Sequence, residues 1–354
     1  MTDASSFPTP NAALGPPDGR TARVARPRLE DVASVAGVSI VTVSRAMNAP
    51  QVVSARTRER VEAAMQAVGY VPDLVARSMA QQRTRVVAAF VPTLMDSIFA
   101  STIQGLSDAL AAAGMQLLLG NTQYSLEEEE KLVRSVLGRR PDAIALTGTT
   151  HLEPLRRMLT QAGVPVVEMW NLAPDPLDMA VGFSNRAVGR SITQHLIERG
   201  YRRIGYVSRP VHGNERAGAR RDGYRDALRG AGLEIRPEWM WEVETSMGAG
   251  EEAVDSLALA QGLEAIVFSG DNTAAGALLA CQSRGIAVPG ELAICGFGDF
   301  EIARRVPGGL TTVRIDSYGI GRAAGEMLLR AVDGDRMGER CVDLGFEVVI
   351  RGSS

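Results

Sequence analysis

Residues Arg28–Asn48, RLEDVASVAGVSIVTVSRAMN, read as two short helices joined by a turn. Leu29, Val32 and Ala36 fall near one face of the first helix. Gly37 stands where the turn needs a residue free to adopt positive φ. Ser39 is placed to cap a second helix, its hydroxyl accepting a backbone N–H. Val43 and Met47, four residues apart, are expected to pack that helix back onto the first. Ile40, Val41, Ser44 and Arg45 are left on or near the opposite side. Helix, tight turn and helix, with short side chains and one Arg outward, is the layout of a DNA-reading helix-turn-helix.

The neighbouring residues extend this pattern. LEDVASVAGVSIVTVSRAMN is followed by VSARTRERVEAAMQAVGYVPDLVARSMA. Together, residues 28–80 resemble the DNA-binding headpiece of the LacI family of bacterial transcription regulators. The D-V-A-x-x-A-G-V-S-x-x-T-V-S-R core carries the resemblance, as does its spacing to Gly69-Tyr70-Val71-Pro72. The resemblance implies DNA contacts from Ile40, Val41, Thr42, Ser44, Arg45, Asn48, Ser54, Thr57 and Tyr70.

Charge divides the chain in the same way. Its 354 residues carry a formal charge of −3, which alone argues against nucleic acid. Between Arg20 and Arg85, however, eleven Arg face five acids, about +6, and the remainder sums to about −9. A basic module on an acidic body is the footprint expected when one end sits on phosphate. Lys131 is the single Lys, but the Arg bias runs along the whole chain and carries no functional weight. Cys281, Cys295 and Cys341 are scattered without a CxxC pair, and His151, His195 and His212 show no metal-ligand spacing. No metal, catalytic residue or cofactor is therefore expected. No apolar run reaches membrane-spanning length and the N-terminus has no hydrophobic signal core, which predicts a cytoplasmic protein. Residues 1–25, with Pro8, Pro10, Pro16 and Pro17, read as a disordered leader.

A third helix is expected over Glu59–Val68, with Val61, Ala64, Met65 and Val68 inward, completing a helix-turn-helix domain over 26–72. Pro72 disfavours helical geometry at Val71. DLVARSMAQQ (73–82) is a helix-capable segment, marginal alone in water. The resemblance implies that 73–84 is a hinge helix that orders on the operator. It also implies that Met79, where the family more often has Leu, wedges the minor groove.

From Val86 onward apolar runs alternate with helical stretches. The runs are VVAAFV (86–91), MQLLLG (115–120), DAIALT (142–147), VPVVEMW (164–170), RIGYVS (203–208), EAIVFS (264–269) and LAICGF (292–297). Helices are expected at Ser101–Ala113, Leu126–Arg139, Arg186–Arg199, Glu215–Ala231 and Asn272–Arg284. Gly114, Gly163, Gly200, Gly232 and Gly285 follow helical runs where C-caps belong. This alternation argues for an α/β fold with doubly wound sheets. ERGYRRIGYVS (198–208), RRDGYRDAL (220–228), SGDNTAAGAL (269–278), VPGELAICGF (288–297) and LTTVRID (310–316) resemble the LacI-family effector domain. The resemblance spans Arg28 to Gly352. It implies a three-helix headpiece plus a two-lobed, periplasmic-binding-protein-like body over 85–354, with a small-molecule cleft.

Arg220, three residues before Gly223-Tyr224, falls on the family's effector-binding Arg. Its fork suits a carboxylate or vicinal hydroxyls, although Arg216, Arg221 and Arg225 nearby also permit a surface ion pair. Asp271 opens a helix after AIVFSG, so it can accept ligand hydroxyls or cap that helix. In GFGDFEIA, Gly298 occupies the place where the family commonly has Asp, and Asp299 follows, which implies a displaced carboxylate or a different ligand. The resemblance implies that Phe99, in DSIF after the first strand, and Trp170, at the end of VVEMW, wall the ligand, and both can equally be ordinary core aromatics. Glu168 and Asn185 are further polar candidates at strand ends.

ALTGTTH, VPVVEMWN and VDLGFEV resemble the gluconate-repressor branch, which implies a sugar or aldonate effector such as gluconate. The overall expectation is a homodimeric repressor of carbohydrate genes on double-stranded operator DNA, with inducer and corepressor both open. No leucine-heptad tail follows Val349, which favours a dimer. An enzyme on the same scaffold would need a P-loop, a G-x-G-x-x-G after the first strand or a nucleophile elbow, and none is present. A solute-binding protein would lack the basic headpiece. Duplex affinity falling steeply with salt separates these readings. At the half-site, Arg45 is expected to contact guanine. The aliphatic Ile40 and Val41 can touch a thymine methyl or exclude other bases, but cannot hydrogen-bond an edge.

Overall fold

The computed structural model describes residues 27–71, 83–95, 97–335 and 337–354. The leader, Met79 and all of the expected hinge except Arg83 and Thr84 lie outside the described residues. The chain divides into two compact units, Met1–Ala80 and Gln81–Ser354.

The first unit contains α1 (Leu29–Ala36), α2 (Ile40–Asn48) and α3 (Ala55–Val68). Gly37 takes φ 61° between α1 and α2. Ser39 caps α2, its hydroxyl accepting the Thr42 N–H at 3.1 Å. Val32, Ala36, Val43, Ala46, Val61 and Ala64 form the small core. Arg60 of α3 donates to the Ala36 carbonyl at 2.6 Å, tying the third helix to the turn. The third helix starts a full turn earlier than its apolar periodicity predicts. Ser54 caps it by accepting the Thr57 N–H at 3.3 Å, and the two hydroxyls also bond at 2.9 Å.

The second unit has two lobes. In one, parallel strands β1 (Val86–Val91), β2 (Gln116–Asn121), β3 (Ala143–Thr147), β4 (Val166–Met169), β5 (Met179–Gly182) and β11 (Cys341–Asp343) run in the order β11-β5-β4-β3-β1-β2. In the other, β6 (Ile204–Ser208), β7 (Met240–Glu242), β8 (Ala265–Phe268) and β9 (Ala293–Cys295) run in the order β7-β6-β8-β9. β10 (Thr312–Arg314) pairs antiparallel with β12 (Glu347–Val349). The continuous apolar runs follow from burial on both faces. Val87 and Ala89 face α4 (Ser97–Ala112) and α12 (Ser317–Val332), whereas Ala88 and Phe90 face α5 (Leu126–Leu137) and α6 (Glu153–Ala162).

The second sheet is covered by α7 (Asn185–Glu198) and α8 (Glu215–Gly230) on one side, and by α9 (Met247–Ala253), α10 (Asp271–Arg284) and the short α11 (Glu301–Arg305) on the other. The chain passes between lobes at 182–185, 314–317 and 343–347. The short strands β5, β7, β10, β11 and β12 had no sequence signal of their own.

Three helix pairs meet through glycine. A methyl group on Gly189 of α7 would lie 1.9 Å from the Arg220 carbonyl oxygen, and one on Gly223 of α8 would lie 2.0 Å from that of Arg186. Gly105 and Gly321 join α4 to α12 in the same way, and Gly250 and Gly276 join α9 to α10. These contacts bring backbone against backbone.

Candidate functional site

Two surfaces carry the residues singled out from the sequence. On the first unit, Ile40, Val41, Arg45 and Asn48 of α2 are exposed, and Thr42 and Ser44 are partly so. Asn48 donates to the Ser44 hydroxyl at 3.4 Å. Ser54 and Thr57 are engaged in capping α3, and Tyr70 packs on the three-helix core.

In the second unit, a cavity of about 620 Å³, its solvent-open mouth included, lies at the C-terminal ends of strands from both lobes. That is the usual place for a ligand in open α/β sheets. Ile98, Phe99, Tyr124 and Trp170 form its wall on the first lobe. The second lobe contributes Arg209, Asn214, Arg216 and Arg220, then Thr245, Ser269, Asn272, Phe297 and Phe300. One wall is thus mainly aromatic and the other basic and polar.

The aromatic wall is a connected row. Phe99 meets Trp170 edge-on at 5.4 Å, Trp170 meets Phe183 at 5.9 Å, and Phe183 lies 6.3 Å from Phe297. Phe183 is buried in the first of the linking stretches. Trp170 adopts φ 73°, a left-handed conformation unusual outside glycine, as the chain turns after β4.

Arg220 lies over the Phe297 ring, 4.4 Å from its centroid, and donates to the Asn185 carboxamide oxygen. Asn185 in turn donates to the Trp170 carbonyl at 2.8 Å and to Asn171 at 3.2 Å. Asn185 therefore positions Arg220 from outside the cavity lining. Burial lowers the Arg220 pKa from its ordinary value; Tyr206 opposes that shift and the Arg216 charge adds to it. A guanidinium nevertheless stays protonated in a protein.

Arg216, one helical turn before Arg220, is 6 % exposed. Its Nε and Nη1, like Arg220 Nε and Trp170 Nε1, are buried without a hydrogen-bond partner among the described residues. The nearest carboxylate, Glu215, is 3.9 Å from Arg216 Nε and accepts the Thr149 N–H at 3.0 Å. Arg209 is paired with Glu244 at 3.3 Å. No Asp or Glu is among the described lining residues.

The three carboxylates chosen from the sequence lie off this cavity because other groups hold them. Glu168 faces His151 Nε2 at 3.1 Å and accepts the Leu177 N–H at 2.8 Å. His151 Nδ1 meets Glu129 at 2.7 Å, so the imidazole sits between two buried carboxylates. Burial alone would lower its pKa, but the bonds to Glu129 and Glu168 outweigh that and raise it to about 9.

Asp271 does not cap α10; Gly270 occupies the N-cap and no side chain caps there. The Asp271 oxygens accept the Thr312 hydroxyl at 2.5 Å and the Phe300 N–H at 2.7 Å. Burial raises its pKa to about 6 against those bonds. Asp299 accepts from Arg314 at 2.7 Å, Arg304 at 2.9 Å and Arg351 at 2.5 Å. The alternative of a surface ion pair fits the other arginines of α8: Arg221 binds Glu242 at 2.8 Å and Arg225 approaches Asp222 at 3.5 Å.

Of the sequence candidates, Phe99, Trp170 and Arg220 meet at the cavity and Asn185 braces them. Arg216, Arg209, Asn214, Ser269 and Asn272 were missed as cavity residues. The spacing of four between Arg216 and Arg220, which puts both on one helix face, was a usable signal. Among the described residues there is no cluster of three metal-binding side chains, and no helix is long and apolar enough to cross a membrane.

Residues 28–73 match the model for bacterial regulatory proteins of the lacI family, and 193–354 match a periplasmic binding protein-like domain. The chain is 34% identical over 345 residues to the HTH-type transcriptional regulator GntR of Pseudomonas aeruginosa, covering 95% of this chain and 98% of that one. A LacI-family transcriptional regulator from Silicibacter pomeroyi superposes with TM-score 0.86 at 33% identity, covering 92% of this chain and 98% of that chain. The transcription regulator GntR from Chromobacterium violaceum gives TM-score 0.72 at 39% identity over 76% of this chain and 99% of that chain. These relatives are regulators rather than enzymes.

Proposed function

The chain belongs to the LacI family of DNA-binding transcription regulators, and from that premise we propose that it is a repressor whose operator affinity is set by a sugar-acid effector, gluconate being the leading candidate. Ile40, Val41, Thr42, Ser44, Arg45 and Asn48 are the proposed groove-facing residues. A homodimer would present two such helices to the half-sites of a pseudo-palindrome.

The observation that carries the effector reading is the pair of guanidinium groups of buried Arg216 and half-buried Arg220, with buried N–H groups that lack partners and no acid among the described lining residues. Glu215 gives Arg216 only a distant counter-charge at 3.9 Å, and no ion pair reaches Arg220 among the described residues. An under-compensated cation shielded from water is costly, and an anionic ligand lowers that cost. One carboxylate suits the planar fork of Arg220. Hydroxyls along the same molecule find donors and acceptors in Asn214, Thr245, Ser269 and Asn272. Phe99 and Trp170 cover the apolar face of the carbon chain. A neutral sugar or nucleoside leaves the charge uncompensated.

Effector binding is coupled to operator affinity by about 1–3 kcal/mol, the usual range for such linkage. The test is operator binding by the full chain with gluconate, related aldonates and glucose. The expected result is a change in affinity with an aldonate and none with glucose. If no sugar acid changes operator binding or the thermal midpoint, the effector assignment fails while the family assignment stands.

A further inference from the structure

We infer that the protein discriminates its half-sites through the 5-methyl groups of thymine, read by the exposed Ile40–Val41 pair. This rests on the operator-reading proposed above and adds the chemical feature that is read. Ile40 is 45 % exposed and Val41 57 %, and they are the first two residues of α2. In a helix-turn-helix, that end of the second helix reaches the base edges.

Neither side chain is needed by its own unit. The core between the three helices closes on Val43 and Ala46 of α2 without them. Two neighbouring β-branched aliphatics therefore stand in water with no folding role, on the helix placed to face the groove.

The polar groups beside them are already engaged. The Thr42 hydroxyl bonds that of Ser39 at 2.9 Å, and the Ser44 hydroxyl accepts from Asn48. Arg45 is the one charged side chain of α2 and is exposed, free to meet a guanine edge or a phosphate.

The groove supplies the rest of the argument. In unmodified DNA, thymine alone presents an apolar methyl in the major groove; the other bases present donors and acceptors there. An aliphatic pair gains by covering a methyl and loses by covering a polar edge, because the edge surrenders water without gaining a partner. Attraction and exclusion therefore favour the same base.

The test begins by selecting duplexes with the full-chain protein from a random library. The best duplex is then remade with uracil in place of thymine, one half-site position at a time. This removes the methyl and leaves the hydrogen-bonding edges unchanged. Wild type is expected to lose about fourfold in affinity for each methyl covered, the fold-change of burying about one CH₂-sized group. Ile40→Ala combined with Val41→Ala is expected to bind thymine and uracil duplexes alike, and Arg45→Ala to weaken both equally. Both aliphatics are exposed, so these variants keep their fold, checked by thermal melting.

Uracil duplexes bound as tightly as thymine duplexes by wild type would overturn the inference. So would thymine preference surviving in the double alanine variant. If selection enriches no duplex even at low salt, the regulator reading falls with it, and the two failures are distinguishable.

Discussion

Asn185 and Arg220 stand on adjacent helices, and the carboxamide of the first holds the guanidinium of the second while its own amide nitrogen grips the Trp170 carbonyl. One neutral side chain thus joins the basic wall of the cavity to its aromatic wall. Its neutrality matters, because it orients Arg220 without cancelling its charge.

Replacing Asn185 by Asp tests that point. The size is retained, but a carboxylate then sits against Arg220 and does internally what the ligand's carboxylate is proposed to do, and the bonds donated to the Trp170 carbonyl and to Asn171 are lost. Aldonate affinity is expected to fall roughly tenfold to a hundredfold, the range for one charge-assisted hydrogen bond, while effector-free operator binding is unchanged. Arg220→Met is expected to lose at least as much. Isothermal titration calorimetry against gluconate measures both.

The buried His151 gives stability a basic limit. Its folded pKa of about 9 lies above its ordinary value of 6.5, so it contributes stability that is complete below pH 6.5 and is lost as pH rises through 9. The thermal midpoint of wild type is expected to decline across that window. His151→Gln should start lower at pH 6 and show a flatter profile.

Asp299 sets the opposite limit. Burial alone would raise its pKa, but hydrogen bonds from Arg304, Arg314 and Arg351 win and hold it below the ordinary carboxylate value. Its stabilisation is therefore present above pH 3.8 and is lost as pH falls through the lower folded value. Asp299→Asn leaves the partly buried Arg351 without a carboxylate, while Arg314 keeps Glu347 and Arg304 is exposed, and is expected to cost about 2 kcal/mol near neutral pH. Urea denaturation at neutral pH and at pH 3 checks size and sign, since the difference from wild type should shrink in acid.

Gly189→Ala forces a methyl into the Arg220 carbonyl and is expected to destabilise by about 3 kcal/mol or more. Gly218→Ala, on α8 with open space around it, is the matched control and should be neutral or slightly stabilising. Denaturant midpoints separate the two.

The helix-turn-helix was legible because its determinants are local: Gly37 in the turn, Ser39 at the cap, Val32 and Val43 inward. The strands were legible because burial on both faces leaves unbroken apolar runs. Phe99, Trp170 and Arg220 could be placed from strand ends and the resemblance. Glu168, Asp271 and Asp299 could not, because their partners are distant in sequence or unremarkable: His151, Thr312 and Arg351. A carboxylate's availability depends on who already holds it, and that is a tertiary fact. Arg216 failed for the converse reason, since an arginine among arginines gives no sign that its buried N–H groups lack hydrogen-bond partners. The start of α3 was misplaced because Ala55 and Arg56 add no apolar periodicity, so only the Ser54 cap marked it.

The glycine contacts between α4 and α12, α7 and α8, and α9 and α10 also decide how the body can move. Where backbone rests on backbone there is no cushion of side chains to repack, so one helix cannot slide along its partner by a fraction of a turn. Each lobe is in that sense welded, and shear within it is blocked. Rearrangement between lobes must then concentrate in the linking stretches at 182–185, 314–317 and 343–347. The first of these contains Phe183, whose ring touches Trp170 on one side and Phe297 on the other. A ligand seated beside those aromatics would bear directly on the joint about which any turn of the lobes has to occur.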